Sequence, residues 1–559
     1  MLSDIQFASR RSPVLATRAC VSSDVPIVSK IGIDILQAGG NAADSAIAMA
    51  AAMAVVEPNL TGLGGDCFAL FYRSSDKKVL GINGNGRSPK QATLEKAKAA
   101  TDDDNLPENN GLTVTVPGAV RGWTDILENF GSGKISLKEI LSPAIKLAEE
   151  GFPVTPVIGR DWYDYTPYLK QTRFGNDLLL NGRAPKIGEI IKLPLIAQTL
   201  KQIAAYGKEG FYSGYIAKKI AEEVQIAGGC MTVEDLEDHL KIPCCIVEPI
   251  STDFHGVRLW EIPPVGQGLI ALLSLNILEG FDLKVMGHNS ADYLHTLAET
   301  FRLAFADGRQ YIADHEILKL AQSVLLDKNY ASKRKSLIKA NSVLSLAHPG
   351  DLFDSDSNTT YVSVIDEEGN ACSFISSLYQ SFGSGIVPEG CGFPLNNRGL
   401  NFSLQFDHPN VFGPAKFPYH TIIPAMLTEP ESNNLLASYG VVGRFMQPQG
   451  HVQMLLNMLI FGMDPQTALD KPRLFVNTEF YQEKPYTIWL EDGIASEVKE
   501  KLQSFGHNIK YPVQGFDRIR FGRGHIITRG TWWNKSESSS DNVLWVGCDP
   551  RTDGLALGY

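Results

Sequence analysis

The chain reads as an α+β fold, and three observations carry that reading. It opens with two helical stretches followed by two strand-like ones. A run of segments with helical spacing extends from about residue 137 to 310, and the last third sets short apolar strands among helices. With 559 residues, 44% hydrophobic and 20% charged, it has the composition of a globular protein and material for a sizeable core.

The elements follow in order. PIVSKIGIDILQ has apolar residues at helical spacing and stops at Gly39-Gly40, after which Asn41 is placed to cap a second helix. That helix holds the longest apolar run, AIAMAAAMAVV (46–56), which falls well short of the roughly 20 residues a membrane span needs and reads as a core helix. EPNLTGLGGDCFALFYR places a turn at Gly62, Gly64 and Gly65 ahead of an apolar strand, and VLGINGNGR is a second strand. LKEILSPAIKLAEEG, AQTLKQIAAYG, YIAKKIAEEVQIAGG, GLIALLSLNILEG and NSADYLHTLAETFRLAFADGRQYIAD predict a large helical layer. The segment SLAHPGDLFDSDSN (345–358) has no periodicity and reads as an exposed linker ending at Thr359. TYVSVID and ACSFISSLY then form two strands around a turn at Glu367–Asn370. Further strands are expected at HTIIPAML, NLLASYG, YTIWLE, HIITRG and VLWVGC, with helices at GHVQMLLNMLIFG and IASEVKEKLQSFG.

A net charge of −11 supplies no basic stripe for nucleic acid or an anionic membrane, so a small-molecule partner is expected. The first residues, MLSDIQFASRRSPVLATRAC, lack the apolar core of a secretory signal, and the expected location is cytoplasmic. Eight cysteines occur without C-x-x-C spacing or partnered histidines, which predicts reduced thiols, no metal and no other cofactor.

The seam at SDSNTTYVSVID (355–366) carries the chemistry. A threonine hydroxyl is a weak nucleophile without a base beside it, and an N-terminal threonine carries that base as its own α-amine, whose ordinary pKa is about 7.7–8.0. Thr359 reaches that state if its hydroxyl attacks the carbonyl of Asn358 and the resulting ester is hydrolysed. Taken alone, the stretch better suits two β-branched residues opening a strand.

Several further blocks accompany it: GGNAADSAIAMAAAMAVVEPNLTGLGGDCFALFY (39–72), LTVTVPGAVRGW (112–123), TFRLAFADGRQYIAD (300–314), TTYVSVIDEEGNACSF (359–374), SFGSGI (381–386) and DPRTDGLALGY (549–559). With these the chain resembles the γ-glutamyltransferase family nearly end to end. The resemblance implies an N-terminal nucleophile hydrolase: a four-layer αββα sandwich made as a proenzyme and cut between Asn358 and Thr359. The large subunit (1–358) and small subunit (359–559) would stay paired as one unit. It implies that Thr359 is the nucleophile, with Thr360 the competing choice, that Ser377 contacts it, and that Gly443 belongs to the oxyanion turn. Arg444 stands where the family has a second glycine, and a positive φ there would strain it.

The expected pocket departs from glutathione-hydrolysing members. Asn85 replaces their arginine, with Arg87 two residues on. Tyr379, Arg398 and Asn401 stand where amide and acidic side chains hold an α-amino group, and His420 and Thr421 where serines are paired. An acid has been exchanged for an arginine, which favours an acyl group bearing a carboxylate and no free α-amine. NGNGRSP, PYHTIIPAM and FMQPQGH look closer to the branch of oxamate amidohydrolase and glutathione hydrolase-like proteins. The expectation is a self-cleaving hydrolase of a small amide, with water or an amine as acceptor. A glutathione hydrolase with a rebuilt pocket and an uncleaved binding or assembly protein stay open beside it.

Overall fold

Two seven-stranded sheets, antiparallel throughout, are stacked face to face in the computed structural model. It describes residues 11–103, 105–242, 245–314, 322–344, 357–477, 486–534 and 542–559. Across the first sheet lie Leu555–Gly558, Cys20–Ser23, Ser357–Ile365, Ala371–Gln380, Asp66–Arg73, Lys78–Gly84 and Ile246–Val247. Across the second lie Val14–Ala16, Leu544–Cys548, Gly524–Arg529, Leu435–Val441, Ala425–Thr428, Val257–Glu261 and Ile250–Phe254.

Strand alternation explains the layers. Tyr361 and Ile365 point into the space between the sheets, where they join Phe68, Ile375, Met426 and Ile527. Val362 and Val364 point the other way, into a helical layer that includes Pro26–Gln37, Ala42–Val56 and Leu137–Glu150. The outer face of the second sheet, with Leu259, Leu427 and Tyr439, is covered by Gly268–Leu278, Ala291–Tyr311 and Met446–Leu459. Central strands are therefore buried on both faces, including their serines Ser363, Ser373, Ser376, Ser377 and Ser438. The result is the αββα sandwich.

The opening helices form as expected. Gly39 turns at φ +96°, and Asn41 makes a capping box with Asp44. Ala42–Val56 is apolar on every side because every one of its residues is buried.

Three expectations are adjusted. The strand reaches upstream of Thr359: Ser357 pairs with Gln380 and Asn358 with Tyr379, and a bulge separates these from the pair Thr360–Ser376. The rest of the expected linker, 345–356, lies outside the described residues. HTIIPAML is strand only over Ala425–Thr428, since Pro424 has no N–H to give the ladder. YTIWLE lies outside both large sheets, in a three-stranded sheet with Leu474–Asn477 and Asn508–Val513. Among the described residues no helix is long and apolar enough to cross a membrane.

Candidate active site

The glycine turn predicted from the sequence brings the first sheet's strands close together. A Cβ on Gly65 would sit 2.5 Å from the Ser377 carbonyl oxygen, and one on Gly64 2.2 Å from that of Pro394. Only glycine allows both approaches. The turn delivers Asp66 to the head of its strand, opposite Ser377.

Thr359 is fully buried at the bulge, with its Oγ1 donating to Ser377 Oγ at 3.4 Å. Ser377 Oγ also accepts the Tyr379 N–H at 2.8 Å. A cavity of about 420 Å³ opens at Thr359, with Gly443, Arg444, Arg523 and Trp489 among its walls.

Gly443 and Arg444 form a turn at the head of the helix Met446–Leu459. Met446 N–H donates to the Gly443 carbonyl (2.8 Å), and the Gln267 side chain donates to that of Arg444 (2.7 Å). The positive end of the helix dipole lies beside the turn. Gly443 has φ +115° and Arg444 φ +56°, so the arginine occupies the left-handed backbone anticipated from the sequence. Its guanidinium donates to the Tyr379 hydroxyl and stands 4.8 Å from that ring's centroid, contacts that offset the strain.

Beyond Tyr379 lies a second cluster. Arg398 is fully buried, 4.7 Å from the Tyr379 centroid; its Nη1 donates to Thr421 Oγ1 at 2.9 Å. Its Nε is 3.6 Å from Asp66 Oδ2, an ion pair too long for a hydrogen bond. Asp66 Oδ1 accepts the N–H groups of Gly86 (3.2 Å) and Gly118 (3.3 Å). Burial pushes the Asp66 pKa up to about 7, with Arg398 the strongest opposing influence. Burial, and then Arg398, holds the pKa of His420 well below that of an ordinary histidine. The ring is therefore neutral: Nδ1 accepts the Ile422 N–H (3.3 Å), so Nε2–H donates to Asp66 Oδ2 (3.2 Å). Arg398 Nε and Nη2, and the buried side-chain amides of Asn85 and Asn401, have no hydrogen-bond partner among the described residues.

Most of the residues singled out in the sequence thus gather in two adjoining clusters bridged by Tyr379. Arg87 is engaged elsewhere: it pairs with Asp314 at 3.0 Å and stacks on Phe417 at 3.8 Å. Sequence reading missed Asp66, whose signal was an acid leading an apolar strand. It also missed Arg523, whose Nη2 donates to the Thr359 carbonyl at 2.7 Å and which has no local signal.

Two antiparallel sheets between two helical layers are the architecture of the N-terminal nucleophile hydrolases. Within that class, the chain belongs to the gamma-glutamyltranspeptidase family, whose model matches residues 28–559. It is 34% identical over 548 residues to the glutathione hydrolase-like YwrD proenzyme of Bacillus subtilis, covering 98% of this chain and 99% of the relative. To the oxamate amidohydrolase proenzyme of Klebsiella pneumoniae it is 29% identical, covering 95% and 97%. The crystal structure of cephalosporin acylase from Bacillus halodurans superposes with a TM-score of 0.87 at 38% identity, covering 100% of this chain and 98% of that one. The family to which the chain belongs is thus one of amide hydrolases and acylases.

Proposed function

We propose that this chain is a proenzyme that cuts itself between Asn358 and Thr359 and then hydrolyses a small carboxylate-bearing amide through an acyl-enzyme on Thr359. The observation that carries the substrate class is Arg398, a fully buried cation with Nε and Nη2 lacking a hydrogen-bond partner among the described residues. Asp66 keeps it charged, while Thr421 and Tyr379 fix its plane. An incoming carboxylate would meet the remaining N–H edge.

The scissile peptide lies at the bulge, where ladder pairing is broken and the strand bends. Attack by Thr359 Oγ1 on the Asn358 carbonyl gives an ester; water cleaves it and frees the α-amine. The two subunits would stay together because strands of both interleave: Cys20–Ser23 pairs with Ser357–Ile365, and Asp66–Arg73 with Ala371–Gln380. In turnover the α-amine takes the Thr359 hydroxyl proton as oxygen attacks the substrate carbonyl, and returns it to the leaving amine. Ser377 holds the hydroxyl, and the Gly443–Arg444 turn faces the developing oxyanion. Water, or an amine, then releases the acyl group. The names of the relatives, which include an amidohydrolase and an acylase, support amide cleavage.

The test is intact mass and N-terminal sequence of the purified protein beside Thr359→Ala, followed by a panel of amides. A fragment 359–559 beginning Thr-Thr-Tyr, absent from the variant, is expected. Turnover should require a carboxylate on the acyl side. An uncut wild-type chain, or preference for γ-glutamyl amides over acyl groups lacking the α-amine, would overturn the reading.

A further inference from the structure

The Thr359 carbonyl is held by a side chain from the other sheet. Arg523, 2% exposed, donates through Nη2 to that oxygen at 2.7 Å. The same nitrogen lies 3.6 Å from Asp24 Oδ2. Asp24 Oδ1 is 3.0 Å from His525 Nε2, and His525 Nδ1 is 2.7 Å from Ser22 Oγ. A buried polar array therefore runs from Ser22 through His525, Asp24 and Arg523 to Thr359, crossing between the strands Cys20–Ser23 and Gly524–Arg529 of opposite sheets. Arg523 has a second attachment: its own carbonyl accepts the Val442 N–H at 2.8 Å, immediately before the Gly443–Arg444 turn.

Cleavage alters what holds the nucleophile. Before it, Asn358 pairs with Tyr379 and Ser357 with Gln380, so the backbone is braced on both sides of Thr359. Afterwards the upstream brace is gone, and Thr359 is a chain terminus whose α-amine, carbonyl and Oγ1 can rotate about Cα. We infer that Arg523 is a positioning residue for Thr359, resting on the reading of Thr359 as nucleophile. It fixes the terminal carbonyl so that the hydroxyl keeps its aim, and through its backbone it ties that aim to the oxyanion turn. Arg523 touches no reacting atom. It acts through the Thr359 carbonyl, and Asp24 in turn fixes Arg523 by charge, since burial opposes the guanidinium's charge while Asp24 and Glu57 favour it.

The test compares wild type with Arg523→Lys, Arg523→Met and the double variant Asp24→Asn/Arg523→Met, which removes both members of the Arg523–Asp24 ion pair. Melting profile, cleavage at Thr359, kcat and KM on an amide turned over by wild type are measured. A misaimed nucleophile costs about 100-fold in kcat, so that loss is expected in both Met variants, with KM within about twofold. Lysine keeps a charged donor and should restore kcat to within about tenfold of wild type at the same KM. Wild-type kcat in a folded Met variant, equal kcat in the Lys and Met variants, or a loss confined to KM would overturn the inference. A wild-type chain that is never cut overturns both this inference and the function it rests on. Cut, active wild type beside fully active variants overturns this inference alone.

Discussion

Replacing Arg398 by methionine removes the cation that keeps Asp66 charged in a fully buried site, and the cost should depend on pH in a defined way. Burial raises the folded pKa of Asp66 to about 7 against the pull of Arg398, while an unfolded aspartate titrates near 3.9. An acid with a raised folded pKa binds its proton more tightly when folded. Its contribution to stability therefore falls as pH rises from the unfolded value to the folded one, and is level above that. In wild type the fall ends near pH 7. In Arg398→Met the folded value moves higher and the fall continues at about 1.4 kcal/mol per pH unit, ~3 kcal/mol between pH 7 and pH 9. At pH 6 protonation of Asp66 is an inexpensive escape, and this part of the difference nearly vanishes. The assay is urea unfolding from pH 6 to pH 9 in a Thr359→Ala background, which keeps the chain whole, with Asp66→Asn/Arg398→Met as the control that should lose the slope. A stability difference between Arg398→Met and its parent that is constant across that range would refute the reasoning.

Two further predictions concern other sites. Arg444→Gly and Arg444→Ala lose the same contacts to Tyr379, but only alanine must adopt the left-handed backbone, so the glycine variant should be more stable by ~1 kcal/mol in urea unfolding; an alanine variant of equal or greater stability would count against strain at this turn. His239 is buried, and burial followed by Arg121 pushes its pKa down to about 3, against 6.5 when unfolded. A base with a lowered folded pKa contributes stability above the unfolded value and loses it as pH falls. Wild type should therefore lose ~2 kcal/mol relative to His239→Gln between pH 7 and pH 5, and parallel pH profiles in the two proteins would contradict this.

Much of the fold was legible in the chain because its signals are local. Gly39 and Asn41 stop one helix and start the next, the 62–65 glycines precede a strand, and Glu367–Asn370 makes a hairpin turn; each needs only neighbouring residues to act. The pairing of a polar run with two threonines drew attention to Thr359, although resemblance to a family was required to prefer chemistry over a strand that merely opens with β-branched residues. The strand's true beginning at Ser357 was hidden, because Ser and Asn have no strand preference of their own and are held there by Gln380 and Tyr379.

What sequence could not decide is which charges meet. Arg398 was visible as an arginine in place of an amide, but its partner Asp66 lies more than 300 positions away and was not singled out. Arg523 reaches Thr359 from the other sheet, and Arg87, equally promising by position, was claimed by Asp314 and Phe417. Local propensity and periodicity set helices and strands through contacts within a few residues. The choice of partner for a buried charge is made only when sheets stack and water is removed, because only then does an unpaired charge become costly. The sequence by itself therefore determined most of the helices and strands and marked the seam, while the tertiary structure decided which arginine is braced by an acid, which is engaged elsewhere, and which reaches the Thr359 carbonyl.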